Sequence, residues 1–178
     1  IQVYLYRLLF KHYWCCLYKM LYLVTSLSHL LYFFVWTFTD RFLCICYYLD
    51  VNPSFLISSL SIIQKSLQMG AILNYSIEHN TLIPYIENFN IMNLLLLTIG
   101  QTLNTAVYYK LGLIGVYYGD RLGYQLPYIT TFPYNIGIKN PQYVGCVLTL
   151  CGLYPLISIN YLIYSSGLYC ITTYIEEH

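Results

Sequence analysis

Charge is what this sequence has least of. Eight Lys and Arg and seven Asp and Glu are spread over 178 residues. That is 8% of the chain, where soluble domains carry roughly 25%, so a water-facing surface of ordinary polarity is excluded. With 58% hydrophobic residues and a mean hydropathy of +0.57, most of the exterior must face lipid. The basic residues are scattered and the net charge is only +1, which excludes nucleic acid as a partner. A CxxC pair and a Cys/His set with zinc spacing are both missing. The seven cysteines lie mostly in apolar runs, where free cysteine behaves as a small hydrophobe. Neither a disulfide framework nor a metal site is expected.

What remains is a chain of long oily runs. The fold class expected is an all-α, polytopic integral membrane bundle of about four elements, each long enough for a hydrocarbon core of about 30 Å. The spans fall at residues 20–38, 55–77, 91–111 and 144–175. The last is uncharged for its whole length. As one straight helix it would run about 48 Å, too long for the core. Pro155, Ser158 and Asn160 offer a break, so a kinked helix or a hairpin is expected. Residues 1–19 mix aromatics with Arg7, Lys11, His12 and Lys19 and read as an interfacial segment, ahead of a single domain at 20–178. The start at Ile1 and the end at His178 are what a fragment of a longer sequence would show.

Two ionisable groups fall inside spans. His29 is expected to be a neutral imidazole bonded to a neighbouring helix or to Ser26. Lys65 must face the bundle or a wet cavity, or snorkel, because a charge at a helix centre costs about 2.5–3.5 kcal/mol on insertion scales. The 23 tyrosines partly suit the membrane interface, and their excess reads as compositional bias. In the third span, Gly100, Gln101, Asn104 and Thr105 gather on one helix face, suited either to helix packing or to lining a polar pocket.

The most informative stretch is 117–143, YYGDRLGYQLPYITTFPYNIGIKNPQY. It holds three glycines, three prolines and the charges Asp120, Arg121 and Lys139 between two apolar runs. Glycine permits close backbone approach and proline fixes φ, so this is a shaped segment rather than a plain connector. Together with 100–177, it resembles the phospholipid N-methyltransferases of the phosphatidylethanolamine pathway. The similarity is greatest to the plant-type branch acting on phosphatidyl-N-methylethanolamine. The resemblance is carried by LGLIGVYYGDRLG, FPY, NPQYVG and the closing Glu176-Glu177, with a weaker echo over 59–74.

That resemblance implies a multi-pass enzyme of the endoplasmic reticulum or mitochondria-associated membrane, using S-adenosylmethionine on a phospholipid in the bilayer. In the family the cofactor is assigned to a Gly-x-Gly element of the third span and a Glu-Glu pair after the last. Here Thr98 stands where the first glycine would be, and Gly100 where the second would be. Asn140 and Tyr143 belong to the element beside the cofactor, and Glu176 and Glu177 form the intact pair. Arg121, Tyr117 and Tyr134 are the expected lipid contacts, with Arg121 either meeting the headgroup phosphate or pairing with Asp120.

Carboxylates suit the sulfonium and ammonium of such a donor, and tyrosine faces stabilise such cations by about 0.5–2 kcal/mol each. No single general base stands out among Asp120, Glu176, Glu177 and His178. For Asn140-Tyr143 and Glu176-Glu177 to touch one cofactor, 144–175 must fold back on itself. The alternatives are an isoprenylcysteine carboxyl methyltransferase-like enzyme and a four-span scaffold without catalysis.

Overall fold

Residues 144–175 do fold back. In this computed structural model they form two helices, α6 (Pro141–Gly152) and α7 (Ile159–Glu177), joined by a turn through Pro155. The backbone is described from Gln2 and side chains from Lys19. The expected interfacial reading of residues 1–19 therefore lies, Lys19 aside, outside the described residues. Ahead of the hairpin come α1 (Gln2–Thr37), α2 (Thr39–Tyr48), α3 (Pro53–Glu78), the short α4 (Leu82–Glu87) and α5 (Ile91–Val116). Among the described residues there is no strand, and the expected all-α membrane bundle is what forms.

Among the described residues, three segments are long and apolar enough to cross a membrane: Lys19–Thr37, Pro53–Glu78 and Ile91–Val116. Their outward faces are a continuous series of exposed apolar side chains such as Leu23, Leu30, Ile63, Leu94 and Ile99, as lipid contact requires. Local signals set the helix starts. Asn52 accepts from Phe55 N at 3.1 Å ahead of Pro53, and Asn90 and Asn93 form a reciprocal capping box at the start of α5. Proline at the first helical position and a capping amide both suit the unpaired N–H groups there. The third span was expected to stop near residue 111. The helix bends at Gly112, whose φ is +65°, and runs on to Val116.

Interhelical hydrogen bonds supplement packing, as lipid-embedded helices need. Gln68 Nε2 donates to Tyr161 Oη at 2.6 Å and to Thr25 Oγ1 at 3.1 Å, tying α3, α7 and α1 together. His29 Nδ1 pairs with Thr172 Oγ1 at 2.8 Å, the neighbouring-helix bond expected of a core histidine. Ser26 turns instead to Tyr164 Oη at 2.6 Å.

The tightest seam joins α5 to α6. A Cβ on Gly100 would lie 2.6 Å from Thr149 Oγ1 and 2.7 Å from Gly145 O. One on Gly145 would lie 2.7 Å from Gly100 O. The hairpin turn is clasped at the far end of the bundle. There Asn93 Nδ2 donates to Gly152 O and Tyr154 O at 3.1 and 2.9 Å, and Thr81 Oγ1 donates to Leu156 O at 3.1 Å. The hairpin's open end therefore faces the 117–140 loop, bringing both of its termini to one end of the molecule.

Candidate functional site

At that end Glu176, in the last turn of α7, meets the start of α6 and the loop. Its Oε1 accepts hydrogen bonds from Tyr118 Oη at 2.6 Å and from Tyr143 Oη, and the two phenols lie 3.4 Å apart. The contact between Tyr143 and Glu176 joins the hairpin's two ends directly.

Tyr118 is held in the left-handed region at φ +61°, an unfavourable backbone for a bulky residue that persists only where surroundings impose it. The surroundings are visible. Gly119 N donates to Ile114 O at 2.9 Å and Tyr124 N to Gly119 O at 2.8 Å, closing the chain tightly after α5. A Cβ on Gly119 would sit 2.7 Å from Ile114 O. The Tyr118 ring is buried against Tyr32 and Trp36, at centroid distances of 6.1 and 5.7 Å.

A cavity of about 260 Å³ opens beside these groups, lined by Asp120, Tyr134, Asn140, Tyr143, Glu176 and Glu177 of the expected set, and also by Trp36, Tyr118, Lys139 and Gln142. Burial raises Glu176 above the usual carboxylate range, and Asp120 pushes the same way. The Tyr118 and Tyr143 hydrogen bonds and Arg121 oppose that shift. Burial also raises the phenols of Tyr118 and Tyr143, reinforced by the neighbouring carboxylate, so both remain protonated donors. Glu177 is exposed and pairs with Lys139 Nζ at 3.5 Å, the only ion pair among the described residues. Three carboxylates face one lysine, leaving net negative charge.

Four expected residues stand elsewhere. Gly100 lies at the α5–α6 seam, where its missing Cβ admits the α6 backbone, and it does not line the cavity. Thr98 is exposed on the outer face of α5. Tyr117 turns from the cavity into the core and shares a 2.7 Å hydrogen bond with Tyr108. Arg121 is not paired with Asp120. Its guanidinium lies over the Trp36 ring, 3.8 Å from the centroid, and lines a separate polar pocket with Asp40 and Arg41.

His178 bonds back to Tyr174 O at 3.1 Å, outside the cavity. The sequence reading missed Tyr118 and Trp36. A turn packed with glycines immediately after Tyr118 was the available signal for the first; for Trp36 there was none.

The fold and this cavity define a class: a small helical membrane protein with an acidic, tyrosine-lined cavity where three chain segments converge at one end of its spans. Comparison with known proteins gives the particular family. The phospholipid methyltransferase profile matches residues 89–176, spanning α5, the loop and the hairpin. Three relatives carry the name phosphatidyl-N-methylethanolamine N-methyltransferase. The one from Arabidopsis thaliana is 28% identical over 146 residues, covering 82% of this chain and 84% of the relative. That from Saccharomyces cerevisiae is 37% identical over 68 residues, covering 38% and 32%. That from Schizosaccharomyces pombe is 43% identical over 60 residues, covering 33% and 29%. No solved structure shows significant similarity. Over residues 89–176 the chain matches the phospholipid methyltransferase family. The isoprenylcysteine and scaffold alternatives are not favoured.

Proposed function

We propose that the chain transfers methyl groups from S-adenosylmethionine to the amine of phosphatidyl-N-methylethanolamine and its dimethyl product, in phosphatidylcholine synthesis at the endoplasmic reticulum membrane. The observation that carries this reading is the convergence of Asp120, Glu176 and Glu177 with Tyr118, Tyr143 and Trp36 on one cavity. The residues fit such a donor. A ligand bearing a sulfonium and an ammonium needs anionic acceptors and aromatic faces, and both line the cavity. Asn140 adds an amide for neutral polar groups.

When bound, S-adenosylmethionine supplies a methyl group on a cationic sulfur, open to attack by a lone pair. The protein must hold, orient and deprotonate. Tyr118 and Tyr143 fix Glu176 by spending both their hydrogen bonds on Oε1, leaving Oε2 free to accept from a ligand. Glu177, weakly held by an exposed lysine, is available to a second donor. The acceptor amine must lose its proton before it can attack, and Asp120 at the exposed rim of the cavity is the group placed to pass that proton to water. Holding amine and methyl in line supplies much of the rate, since positioning alone is worth about 7–11 kcal/mol in favourable cases.

Membranes from cells expressing the chain, given methyl-labelled S-adenosylmethionine and each of the three ethanolamine phospholipids, test this. Label should enter the monomethyl and dimethyl lipids and disappear in Glu176→Gln/Glu177→Gln. Undiminished labelling in that variant rejects the cofactor assignment.

A further inference from the structure

The acidic cavity is the last of three that follow one another along the bundle. The first, about 250 Å³, lies between α3 and α5 and is lined by Lys65, Gln68, Gln101, Asn104, Tyr108 and Thr149, with Met69, Ile72, Leu150 and Leu153 as its apolar wall. The second is a constriction of about 10 Å³, room for about one water-sized group. Five tyrosines form its collar: Tyr32, Tyr117, Tyr118, Tyr143 and Tyr169. Lys65 lines both the first cavity and the collar. Tyr118 and Tyr143 line both the collar and the acidic cavity.

Lys65 is the anomaly. It sits at the middle of a span, half-buried, and makes no ion pair among the described residues. The titratable groups around it include His29, Tyr32, Tyr108, Tyr169 and Cys146, and no Asp or Glu lines either cavity that it touches. Helical side chains lean towards their helix's N-terminus, which for α3 is the end that carries the loop. A cation held at membrane depth beside amide and hydroxyl donors, without a carboxylate, is complementary to an anion that arrives with apolar chains attached.

We propose that Lys65 recognises the phosphodiester of a membrane lipid seated between α3 and α5. This rests on the methyl-transfer reading for the identity of the lipid, but not for the anion site itself. The order apolar wall, cation with amides, aromatic collar and carboxylates matches the order acyl chain, phosphodiester, ethanolamine arm and amine. Where the collar opens on the acidic cavity, at Tyr118 and Tyr143, a methylated ammonium gains from tyrosine faces. The water-soluble donor, with its two cationic groups, belongs in the acidic cavity beyond it.

The test is photo-crosslinking of the full chain in nanodiscs with diazirine-tagged phosphatidyl-N-methylethanolamine, beside a diacylglycerol carrying the same tagged acyl chain. Capture should require the phosphodiester, fall on the order of tenfold in Lys65→Met, and persist in Lys65→Arg. Losing a charge from a span eases insertion, so reduced capture in Lys65→Met would not report misfolding. Equal capture of the phosphate-free probe, or undiminished capture by Lys65→Met, overturns the proposal. If capture behaves as expected while no ethanolamine lipid is methylated, the lipid site stands and the methyl-transfer reading falls.

Discussion

Two regions of this molecule use small and polar residues in opposite ways. At the α5–α6 seam, Gly100, Gly145 and Gly152 remove side chains so that two backbones touch, and a Cβ at any of them would meet a heavy atom at 2.6–2.7 Å. At the open end of the hairpin, Glu176, Tyr118 and Tyr143 converge around a space. Between the two backbones of the first there is no room for a ligand, whereas the second encloses a cavity of about 260 Å³. Read along the sequence, Gly100 and Glu176-Glu177 looked like parts of one cofactor site. The structure makes the first a joint and the second a lining, so substitutions in the two should fail differently.

The largest effect is expected at the lining. Glu176→Gln/Glu177→Gln removes the acceptor charges of two charge-assisted bonds, each worth about 1.5–3 kcal/mol. Methyl transfer should fall roughly 100-fold or more while detergent-solubilised protein melts near the parent temperature. Next comes the joint. Gly100→Ala puts a methyl group where Thr149 and Gly145 already are, and overpacking of this kind costs about 1–3 kcal/mol. The melting temperature should drop, while the folded fraction keeps its KM for the methyl donor. A raised donor KM at unchanged stability would return Gly100 to the cofactor site and erase the contrast.

Why the sequence places the two together and the structure apart is a matter of axial position. Hydropathy locates spans well, and the expected starts at 55 and 91 lie close to the observed Pro53 and Ile91. The hairpin was legible because 144–175 is longer than a bilayer is thick. Which level of α5 faces which level of α6 is not written in either helix alone. The acidic cavity touches α5 at Val107, Leu111, Gly115 and Val116. Gly100 lies seven residues below the first of these, about 10 Å along the axis. The family motifs point to the 117–143 loop and to Tyr117, whereas Tyr118 is the one that lines the acidic cavity. Adjacent residues diverge here because Tyr118 takes a positive φ, and nothing in a Tyr-Tyr pair says which ring will line the cavity.

Tyr118 gives the next prediction. Tyr118→Phe keeps the ring against Trp36 and removes one of the two hydrogen bonds on Glu176 Oε1. The donor KM should rise by roughly 5- to 30-fold, for a loss of about 1–2 kcal/mol. Its sign with pH is fixed. Burial raises Glu176 above the usual carboxylate range, and the phenolic hydrogen bonds oppose that by favouring the charged form. Donor binding through the carboxylate is complete above the Glu176 pKa and lost as pH falls through it. Removing Tyr118 Oη raises that pKa further, so the acid limb of the KM profile should move to higher pH. A limb that stays in place would mean that Glu176 titrates without sensing the phenol.

The smallest effect is expected just outside the cavity, and it separates a charge that reads substrate from one that shapes a wall. Arg121 was a candidate for the lipid phosphate, but its guanidinium caps the outer face of Trp36 at 3.8 Å. The indole borders both the acidic cavity and the polar pocket that Arg121 lines. An exposed cation–π contact is worth about 0.5–1 kcal/mol. Arg121→Gln should therefore change the lipid KM by no more than about fivefold, less than the loss expected at Lys65. It should also change the fluorescence of Trp36, read in a Trp14→Phe background that leaves this indole as the sole tryptophan. A loss of lipid binding in Arg121→Gln as large as that in Lys65→Met would move the phosphate contact from the α3–α5 cavity to the loop. The comparison would then be redrawn, with the 117–140 loop reading the headgroup as well as building the donor site.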